Sequence, residues 1–301
     1  MMNIKHFLSS LILLVATFCE VQAQSQPEVY RLFDAKGNAI AYDKMIATMA
    51  KADVSFVGEI HNCAITHWME LKMLESVAQA DTQQHQPLAV GMEMFEADNQ
   101  LILNEYLQGI IGSDKFEAEC RLWDNYSTDY EPLVYYAKAN HLPVIATNVP
   151  RRYASVVKDH GLPFLDSLSA EAKSYLPPLP IKYVKNEEAK AGFEMMKLMS
   201  GKAENANADF MSQAQAIKDA TMAWHITQTL KQRGGHLIHF NGAYHSDARN
   251  GIIPYLLQYR PETTTCVVRS VRQADIKNLD SDYVGLADFY IVIPEDMSMS
   301  Y

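Results

Sequence analysis

Short apolar runs alternate with longer helical stretches along most of the chain. The apolar runs are four or five residues long and rich in Val, Ile and Leu, which is typical of buried strands. Strands are predicted at 54–57, 88–92, 143–147, 237–240, 265–269 and 289–293. Helices are predicted at 66–80, 99–108, 130–140, 208–233 and 252–258. Strands that alternate with helices indicate an α/β fold in which helices flank a mostly parallel central sheet.

The segment before the first of these strands predicts a hairpin. Its strands lie at 29–33 and 39–42, on either side of a turn at 34–38 that contains Asp, Gly and Asn. Asp43 is then expected to cap a helix that runs to about residue 52.

Two stretches interrupt the alternation. Residues 109–129 and 162–200 are helix-like but contain no strand, and the second is broken at Pro177-Pro178-Leu179-Pro180. Helical material inserted between strands usually forms a cap or lid. We therefore expect one α/β domain at 24–301, with a small helical cap subdomain from inserts at about 99–140 and 162–200.

The start of the chain is typical of an export signal. An apolar run at 7–18 is too short to span a bilayer, and Val21-Gln22-Ala23 follows it with small side chains where a signal peptidase reads them. A signal peptide is therefore expected at 1–23. Cys19 follows the bulky Phe18, where a lipoprotein needs a small residue. Export to the periplasm or cell envelope is favoured, and a lipid anchor at Cys19 is the less favoured alternative.

Charge and cysteine content narrow the class of partner and cofactor. Lys and Arg number 26 against 36 Asp and Glu, a formal net charge of −10, and no Lys/Arg-rich run occurs. Nucleic acid and anionic membranes are therefore poor partners. The spacing of Cys63, Cys120 and Cys266 excludes a Cys-x-x-Cys zinc site and a Cys-x-x-Cys-His haem attachment. Three buried thiols are expected, with one disulfide as the alternative.

Polar side chains follow four of the predicted strands, at the point where each strand ends. They are Glu59 and His61, then Glu93, then Asn148 with Arg151 and Arg152, and lastly Asn241, Tyr244 and His245. Ligands bind at the carboxyl ends of the strands in open parallel sheets, so one pocket is expected to contain these groups. Imidazole with carboxylate suits Zn, Mn or Fe. His67 has two interpretations: it is either a further ligand at this site or a residue on the polar side of the helix predicted at 66–80.

Other catalytic motifs are missing from the sequence. It contains no Gly-x-Ser-x-Gly, no Gly-x-Gly-x-x-Gly, no phosphate loop and no His-Glu-x-x-His. An aromatic segment around Trp123 and Tyr130 either packs the cap on the sheet or forms a flat wall for a large planar ligand.

Several of these segments resemble the ChaN-like haem-binding uptake family. The resemblance rests on Phe56-Val57-Gly58-Glu59-Ile60-His61 with His67, on Gly91-Met92-Glu93-Met94-Phe95, on Trp123 with Tyr130-Glu131-Pro132-Leu133, on Ala146-Thr147-Asn148-Val149-Pro150-Arg151, on residues 214–223, on Asn241-Gly242-Ala243-Tyr244-His245 and on Gly251-Ile252-Ile253-Pro254. The matches run in the same order over about residues 45–295. Their combination is specific, although each piece alone is not.

The resemblance implies an exported haem-binding protein of bacterial haem and iron uptake. Haem would bind non-covalently between the strand ends and the cap, with iron held by Tyr or His. The expected haem contacts are Tyr244, His245, Tyr130, Trp123 and Arg151, with Arg152 as the alternative guanidinium for a propionate. The implied partners are haem, a second copy of the chain paired through haem, and outer-membrane haem uptake machinery.

A metal-dependent hydrolase is the alternative function. The wider superfamily includes Tiki-type proteases and erythromycin-esterase-like hydrolases, so the resemblance also implies catalytic roles for Glu59, His61 and Glu93. In this alternative His61, Glu93 and His245 hold a divalent metal such as Zn or Mn, and Glu59 is the general base on its water. A third interpretation is that the protein has the fold of an enzyme but no catalytic activity, and serves only to bind a ligand.

We predict that the mature protein begins at Gln24, because Val21-Gln22-Ala23 precedes it as the cleavage site. The intact mass of the exported protein measures this. A lipidated Cys19 at the terminus would contradict the prediction and place the protein on a membrane surface.

Overall fold

A seven-stranded sheet lies at the centre of the computed structural model, which describes residues 28–84, 86–185 and 207–300. The strands are β1 (Arg31–Asp34), β2 (Val54–Glu59), β3 (Leu88–Glu96), β4 (Val144–Asn148), β5 (His236–Gly242), β6 (Thr265–Gln273) and β7 (Phe289–Pro294). Their order across the sheet is β1-β7-β6-β2-β5-β3-β4. Neighbouring strands are parallel, except that β1 runs antiparallel to β7 at one edge. The mixed α/β class and the mostly parallel sheet are thereby confirmed.

The central strands are buried on both faces, which explains their near-continuous apolar sequences. Every residue of β2, β3 and β5 is buried. Successive side chains point to opposite faces, so Val57 and Phe56 belong to different core clusters. Glu59 is the last residue of β2 and Glu93 lies within β3, whereas the prediction placed both after their strands. The prediction ended both strands before these carboxylates, but here Glu59 and Glu93 have polar partners and are part of the strands.

Helices cover both faces of the sheet. The face that contains Val57 is packed by α1 (Tyr42–Met49), α2 (Ala64–Gln84), α3 (Gln100–Leu107), α4 (Ser113–Glu119) and α5 (Glu131–Ala139). The face that contains Phe56 is packed by α8 (Ala208–Arg233) and α9 (Ile252–Tyr259). A third, smaller cluster joins α8 to α6 (Arg151–His160) and α7 (Ala170–Lys173).

The first strand pairs differently from the prediction. The predicted turn forms, and the Asp34 side chain accepts hydrogen bonds from two backbone N–H groups within it, each at 3.0 Å. The predicted second strand, however, is reduced to one bridge between Phe33 and Ala39, and β1 pairs over all four of its residues with β7 instead. The predicted turn and a short hairpin therefore form, but the predicted strand at 39–42 does not. Helix α1 begins at Tyr42, so Asp43 lies in its first turn and is not its cap.

The two predicted inserts contain short helices. The first includes α4 and a wide helical turn at Tyr126–Tyr130. The second includes a 3-10 segment at Leu162–Ser167 and α7, and its residues from 186 onward lie outside the described residues. The division into one domain with a helical cap stays a prediction.

Three smaller expectations concern cysteines and membrane contact. The described cysteines are buried and unpaired, as predicted. The predicted signal peptide, with Cys19, lies outside the described residues. Within the described ranges, no helix combines the length and apolar character needed to cross a membrane.

The outer backbone groups of the edge strand β4 bond to a side chain. Gln100, at the start of α3, donates from Nε2 to the carbonyl oxygen of Val144 at 2.9 Å. Its Oε1 accepts from the backbone N–H of Ala146 at 2.7 Å. The carboxamide therefore takes the place of two bonds that a further strand would make.

A buried polar chain joins α2 to the amino ends of the strands. His236 contacts Oδ2 of Asp81 through Nδ1 at 2.9 Å and Oγ of Ser55 through Nε2 at 3.2 Å. Ser55 Oγ donates to the carbonyl oxygen of Met49 at 3.0 Å, and all three side chains of the chain are buried. A Ser-His-Asp chain of this kind resembles a catalytic triad, but its hydroxyl is committed to a backbone carbonyl and is inaccessible. Its role is to tie β2, β5 and α2 together.

We predict that His236→Leu lowers the free energy of unfolding by about 1–3 kcal/mol, because it leaves the buried Asp81 carboxylate without its hydrogen-bond partner. Urea unfolding measures the change. As a control, Asp114→Asn on the exposed side of α4 should change the midpoint little. Equal midpoints for His236→Leu and the wild type would contradict the prediction.

Candidate functional site

Three neighbouring strand ends form the site, and their order in the sheet explains why. β5 lies between β2 and β3. Glu59, at the end of β2, is in register with Gly242 at the end of β5. Glu93 of β3 reaches the same glycine from the other side and accepts a hydrogen bond from its backbone N–H at 2.8 Å. Parallel strands thus bring both carboxylates to one edge of the sheet.

Gly242 leaves the space in which side chains from both neighbours meet. A Cβ atom at this position would lie 2.6 Å from Nε2 of His61 and 3.7 Å from Oε2 of Glu93. A side chain larger than hydrogen would therefore collide with the imidazole. Because Gly242 has no side chain, His61 and Glu93 can both approach its Cα atom.

His245 forms a buried ionic group with two carboxylates. Its Nε2 lies 3.1 Å from Oε1 of Glu93, and its Nδ1 lies 2.6 Å from Oδ1 of Asp219 on α8. Burial alone would lower the pKa of His245, but the two carboxylates raise it to about 10. Burial alone would raise the pKa of Glu93, but the charge of His245 lowers it to about 2. His245 is therefore a fixed cation here, with both ring nitrogens in use.

The pKa of Glu59 is shifted in the direction opposite to that of Glu93. Its Oε1 accepts a hydrogen bond from the Tyr130 hydroxyl at 2.8 Å and also contacts Nδ1 of His61. Burial raises the pKa of Glu59 to about 8, and the nearby Glu70 carboxyl adds to the rise. Burial and the adjacent Glu59 also raise the pKa of the Tyr130 phenol, which stays protonated.

A second histidine lies deeper, on α2. His67 Nε2 donates to the carbonyl oxygen of His61 at 3.1 Å, and Asp129 Oδ2 is 3.4 Å from the same nitrogen. Its Nδ1 faces Oε2 of Glu70 at 2.9 Å and Oε2 of Glu59 at 3.5 Å. Burial raises the pKa of Glu70 to about 8. Two carboxyl groups of weak acidity therefore face one imidazole nitrogen.

A cavity of about 1090 Å³ opens beside this network. Its wall includes Trp123, Asn125, Asp129, Asn148, Arg151 and Lys218. The Trp123 ring lies edge-on to the His61 ring, with centroids 5.1 Å apart. Asn125 donates from Nδ2 to the carbonyl oxygen of His61 at 3.0 Å and to Asp129 at 2.7 Å. The cavity wall and the buried network therefore share residues.

The structure places the predicted site residues in four separate surroundings. Glu59, His61, Glu93 and His245 meet around Gly242. Trp123 and Arg151 line the large cavity. Tyr130 is fully buried and bonds to Glu59, whereas Tyr244 is 41% exposed and lines a much smaller pocket beside Asp219. Arg152 pairs with Asp98, and its guanidinium lies over the Tyr153 ring.

Three buried carboxylates of the site were missed by the sequence analysis. They are Glu70, Asp129 and Asp219. Glu70 comes three residues after His67 on one helix, a spacing that places both on the same face. Asp219 lies at helical spacing from Ala216 and Ala223, on the buried face of α8, which was a second available signal.

One group among residues 28–84, 86–185 and 207–300 presents three donor atoms close enough for a single metal ion. It consists of Glu59, His67 and Glu70, whose donor atoms lie within 4.8 Å of one another. The predicted metal ligands His61, Glu93 and His245 do not offer a free imidazole nitrogen on His245. Both ring nitrogens of His245 already face carboxylates. A metal held by these three ligands would have to displace one of these contacts.

Fold and site together define an α/β protein with a carboxylate- and imidazole-rich centre at its strand ends, beside a cavity of cofactor size. A family described as "Haem-binding uptake, Tiki superfamily, ChaN" matches residues 45–256. Because the match covers more than half of the chain, the protein belongs to this family. The resemblance found in the sequence is thereby confirmed, and a haem-related role is supported.

Solved structures and a plant protein resemble the chain to different extents. ChaN of Campylobacter jejuni, described by its cofacial haem binding, superposes with a TM-score of 0.66 over 88% of this chain and 96% of its own, at 18% identity. A succinoglycan biosynthesis protein gives a TM-score of 0.50 over 84% and 89%, at 13% identity. The Arabidopsis thaliana protein RETICULATA-RELATED 5 is 24% identical over 183 residues, which span 59% of this chain but 25% of that relative. The structural matches support the shared fold.

We predict that Glu93 makes the protein less stable in acid. Its folded pKa of about 2 lies below the ordinary 4.5, so its contribution is fully present above pH 4.5 and is lost as the pH falls towards 2. The total loss is roughly 3 kcal/mol. Urea unfolding between pH 3 and 6 should show a shallower pH dependence for Glu93→Gln than for the wild type. Glu119→Gln, on the exposed side of α4, should retain the wild-type slope, and equal slopes for all three proteins would refute the assignment.

Proposed function

We propose that the protein is an exported haem-binding protein that acts in bacterial haem and iron uptake and binds haem non-covalently in the large cavity. Family membership supports the haem-related role. The signal peptide expected from the sequence supports export to the periplasm or cell envelope. Haem-mediated pairing of two copies and delivery from outer-membrane uptake machinery are part of this proposal.

The observation that carries the proposal is the composition of the cavity wall. A volume of about 1090 Å³ is at the upper end of the range for small-molecule pockets, as a large planar cofactor requires. Trp123 offers an aromatic surface, and Arg151 and Lys218 are the two cations of the wall that could meet the propionates of haem. The same wall contains three acidic residues, Glu96, Asp124 and Asp129. Arg151 is paired with Glu96, so a propionate would replace Glu96 at that guanidinium.

The candidate iron ligands differ in whether their donor atoms already form hydrogen bonds and in how exposed they are. The Tyr130 phenol is committed to Glu59, and both nitrogens of His245 face carboxylates. Tyr244 is exposed but lines the smaller pocket. His61 is 42% exposed beside Trp123, and Glu59 holds its Nδ1, an arrangement that leaves Nε2 as the coordinating nitrogen. Tyr244 and His61 are therefore the most accessible of the four donors, although the wall of the large cavity includes neither and His61 Nε2 faces Gly242.

Haem titration followed by the Soret band tests the proposal. We expect saturable binding by the wild type and about tenfold weaker binding by Arg151→Met and by Lys218→Met, since each loses one charged contact. Lys158→Met is the matched control, because Lys158 is an exposed cation on the same helix as Arg151 and pairs with Asp159.

The same titration with Tyr244→Phe, His61→Ala, Tyr130→Phe and His245→Ala identifies the ligand. The variant that removes the donor should lose the Soret shift of the wild type. Absence of any saturable change with the wild type would refute haem binding.

A metal-dependent hydrolase is the second candidate, favoured by one observation. Two carboxylates on either side of Gly242 have opposite pKa shifts, to about 8 for Glu59 and about 2 for Glu93. Opposed shifts of this kind separate proton-transfer and charge-stabilising roles. His61, Glu93 and His245 would hold a metal that activates water, and Glu59 would take the proton. Hydrolysis of peptides or esters with Zn²⁺ or Mn²⁺, abolished in Glu59→Gln, tests this alternative.

A further inference from the structure

The geometry points to a second ligand site, independent of haem: a divalent metal ion held by Glu59, His67 and Glu70 beneath the cavity wall. This site shares only Glu59 with the residues that the sequence suggested for catalysis. His61, Glu93 and His245 are not among its ligands. It can therefore be tested separately from haem binding, and it differs from the hydrolase alternative in its other two ligands, His67 and Glu70.

The hydrogen bonds of His67 determine which nitrogen is available. Its Nε2 faces the carbonyl oxygen of His61, which can only accept, so Nε2 carries the hydrogen. The lone pair of the neutral ring is then on Nδ1, the nitrogen that faces Glu59 and Glu70. This nitrogen and the two carboxyl groups present their donor atoms within 4.8 Å of one another.

Two carboxylate oxygens at this place lack any hydrogen-bond donor. They are Oε2 of Glu59 and Oε1 of Glu70, and both atoms are buried. Among the described residues, no lysine or arginine forms an ion pair with either carboxylate. Buried oxygens of this kind are costly unless a proton or a cation satisfies them. A divalent cation would neutralise both carboxylates at once.

Residues around the three ligands already hold them in place. Tyr130 donates to the other oxygen of Glu59, and Asp129 lies beside the Nε2–H of His67. Asn125 links Asp129 to the carbonyl oxygen of His61. A carboxylate behind a ligating imidazole fixes its tautomer and raises its basicity, as in many metal sites. One imidazole nitrogen with two carboxylates suits Zn²⁺ or Mn²⁺ better than Ca²⁺ or Mg²⁺.

Such an ion would connect two elements, β2 and α2, and would reach the cavity wall through the contacts of His67. Glu59 ends β2, His67 and Glu70 belong to α2, and Asp129 and Asn125 belong to the cavity wall. The ion would therefore stabilise the cavity wall without contacting haem.

Metal titration of the chelator-treated protein tests the site. Zn²⁺ and Mn²⁺ are measured by calorimetry and by metal analysis after dialysis, and melting temperature is a second readout. We expect one equivalent bound per chain and a raised melting temperature in the wild type. Glu70→Gln should weaken binding at least about 100-fold and remove the thermal shift, and Asp129→Asn should weaken binding about tenfold.

Two matched variants separate this site from others. Glu75 lies on the same helix and accepts a hydrogen bond from Lys72, and Glu75→Gln should bind the metal like the wild type. Glu93→Gln should also bind like the wild type, because Glu93 belongs to the His245 group. Co²⁺ should give ligand-field bands without a thiolate charge-transfer band, which excludes the buried Cys63 as a ligand.

Three outcomes would overturn the proposal. The first is absence of a bound equivalent in the wild type, which would mean that the Glu59 and Glu70 pair is satisfied by a proton. The second is unchanged affinity in a folded Glu70→Gln, and the third is lost affinity in Glu93→Gln alone. Circular dichroism establishes that each variant is folded. If Glu70→Gln does not fold, the wild-type stoichiometry and Asp129→Asn still decide the question. Haem titration of the same samples shows whether failure concerns this site or the proposed function.

Discussion

The absence of a side chain at Gly242 is the constraint on which the site depends. β5 occupies the centre of the three strands that end there, so any atom beyond Cα at this residue would enter the space between His61 and Glu93. The imidazole of His61 uses that space from one side, and the Glu93 carboxylate uses it from the other. Side chains from β2 and β3, which are not neighbours in the sheet, therefore act as one group.

Histidines, rather than lysines or arginines, are the ion-pair partners of the buried carboxyl groups around Gly242 and His67. The carboxylates concerned are Glu59, Glu70, Glu93, Asp129 and Asp219. Their ion-pair partners among the described residues are His61, His67 and His245. Imidazole exists in neutral and charged forms near neutral pH, so the charge of this centre depends on local contacts. The two sides of Gly242 show this, since His245 is held as a cation while Glu59 is held as an acid.

The sequence was sufficient for the fold and for the identity of the most prominent polar residues. Strand-and-helix alternation sufficed because the central strands are buried on both faces, which requires nearly uninterrupted apolar runs. The polar residues at strand ends were recognisable because parallel topology implies one common edge. Strand length was underestimated, since β2 and β3 continue through Glu59 and Glu93.

What the sequence could not supply was the contribution of helices to the site. Glu70 and Asp219 lie on α2 and α8, and only the packing of these helices brings them to the strand ends. Periodicity treats an acidic residue on a helix as solvated, which is correct for most such residues. The pairing of β1 with β7 was similarly invisible, because antiparallel addition at an edge depends on a strand more than 250 residues away.

The side chain of Gln100 has a consequence for how copies of this protein can associate. Sheets are often extended across molecules when an edge strand offers free backbone groups to another chain. Here the carboxamide already occupies Val144 and Ala146 of β4, so an incoming strand would have to break two short hydrogen bonds before it formed any. Strand-by-strand polymerisation is therefore disfavoured at this edge, and contact between molecules is directed to surfaces made of side chains.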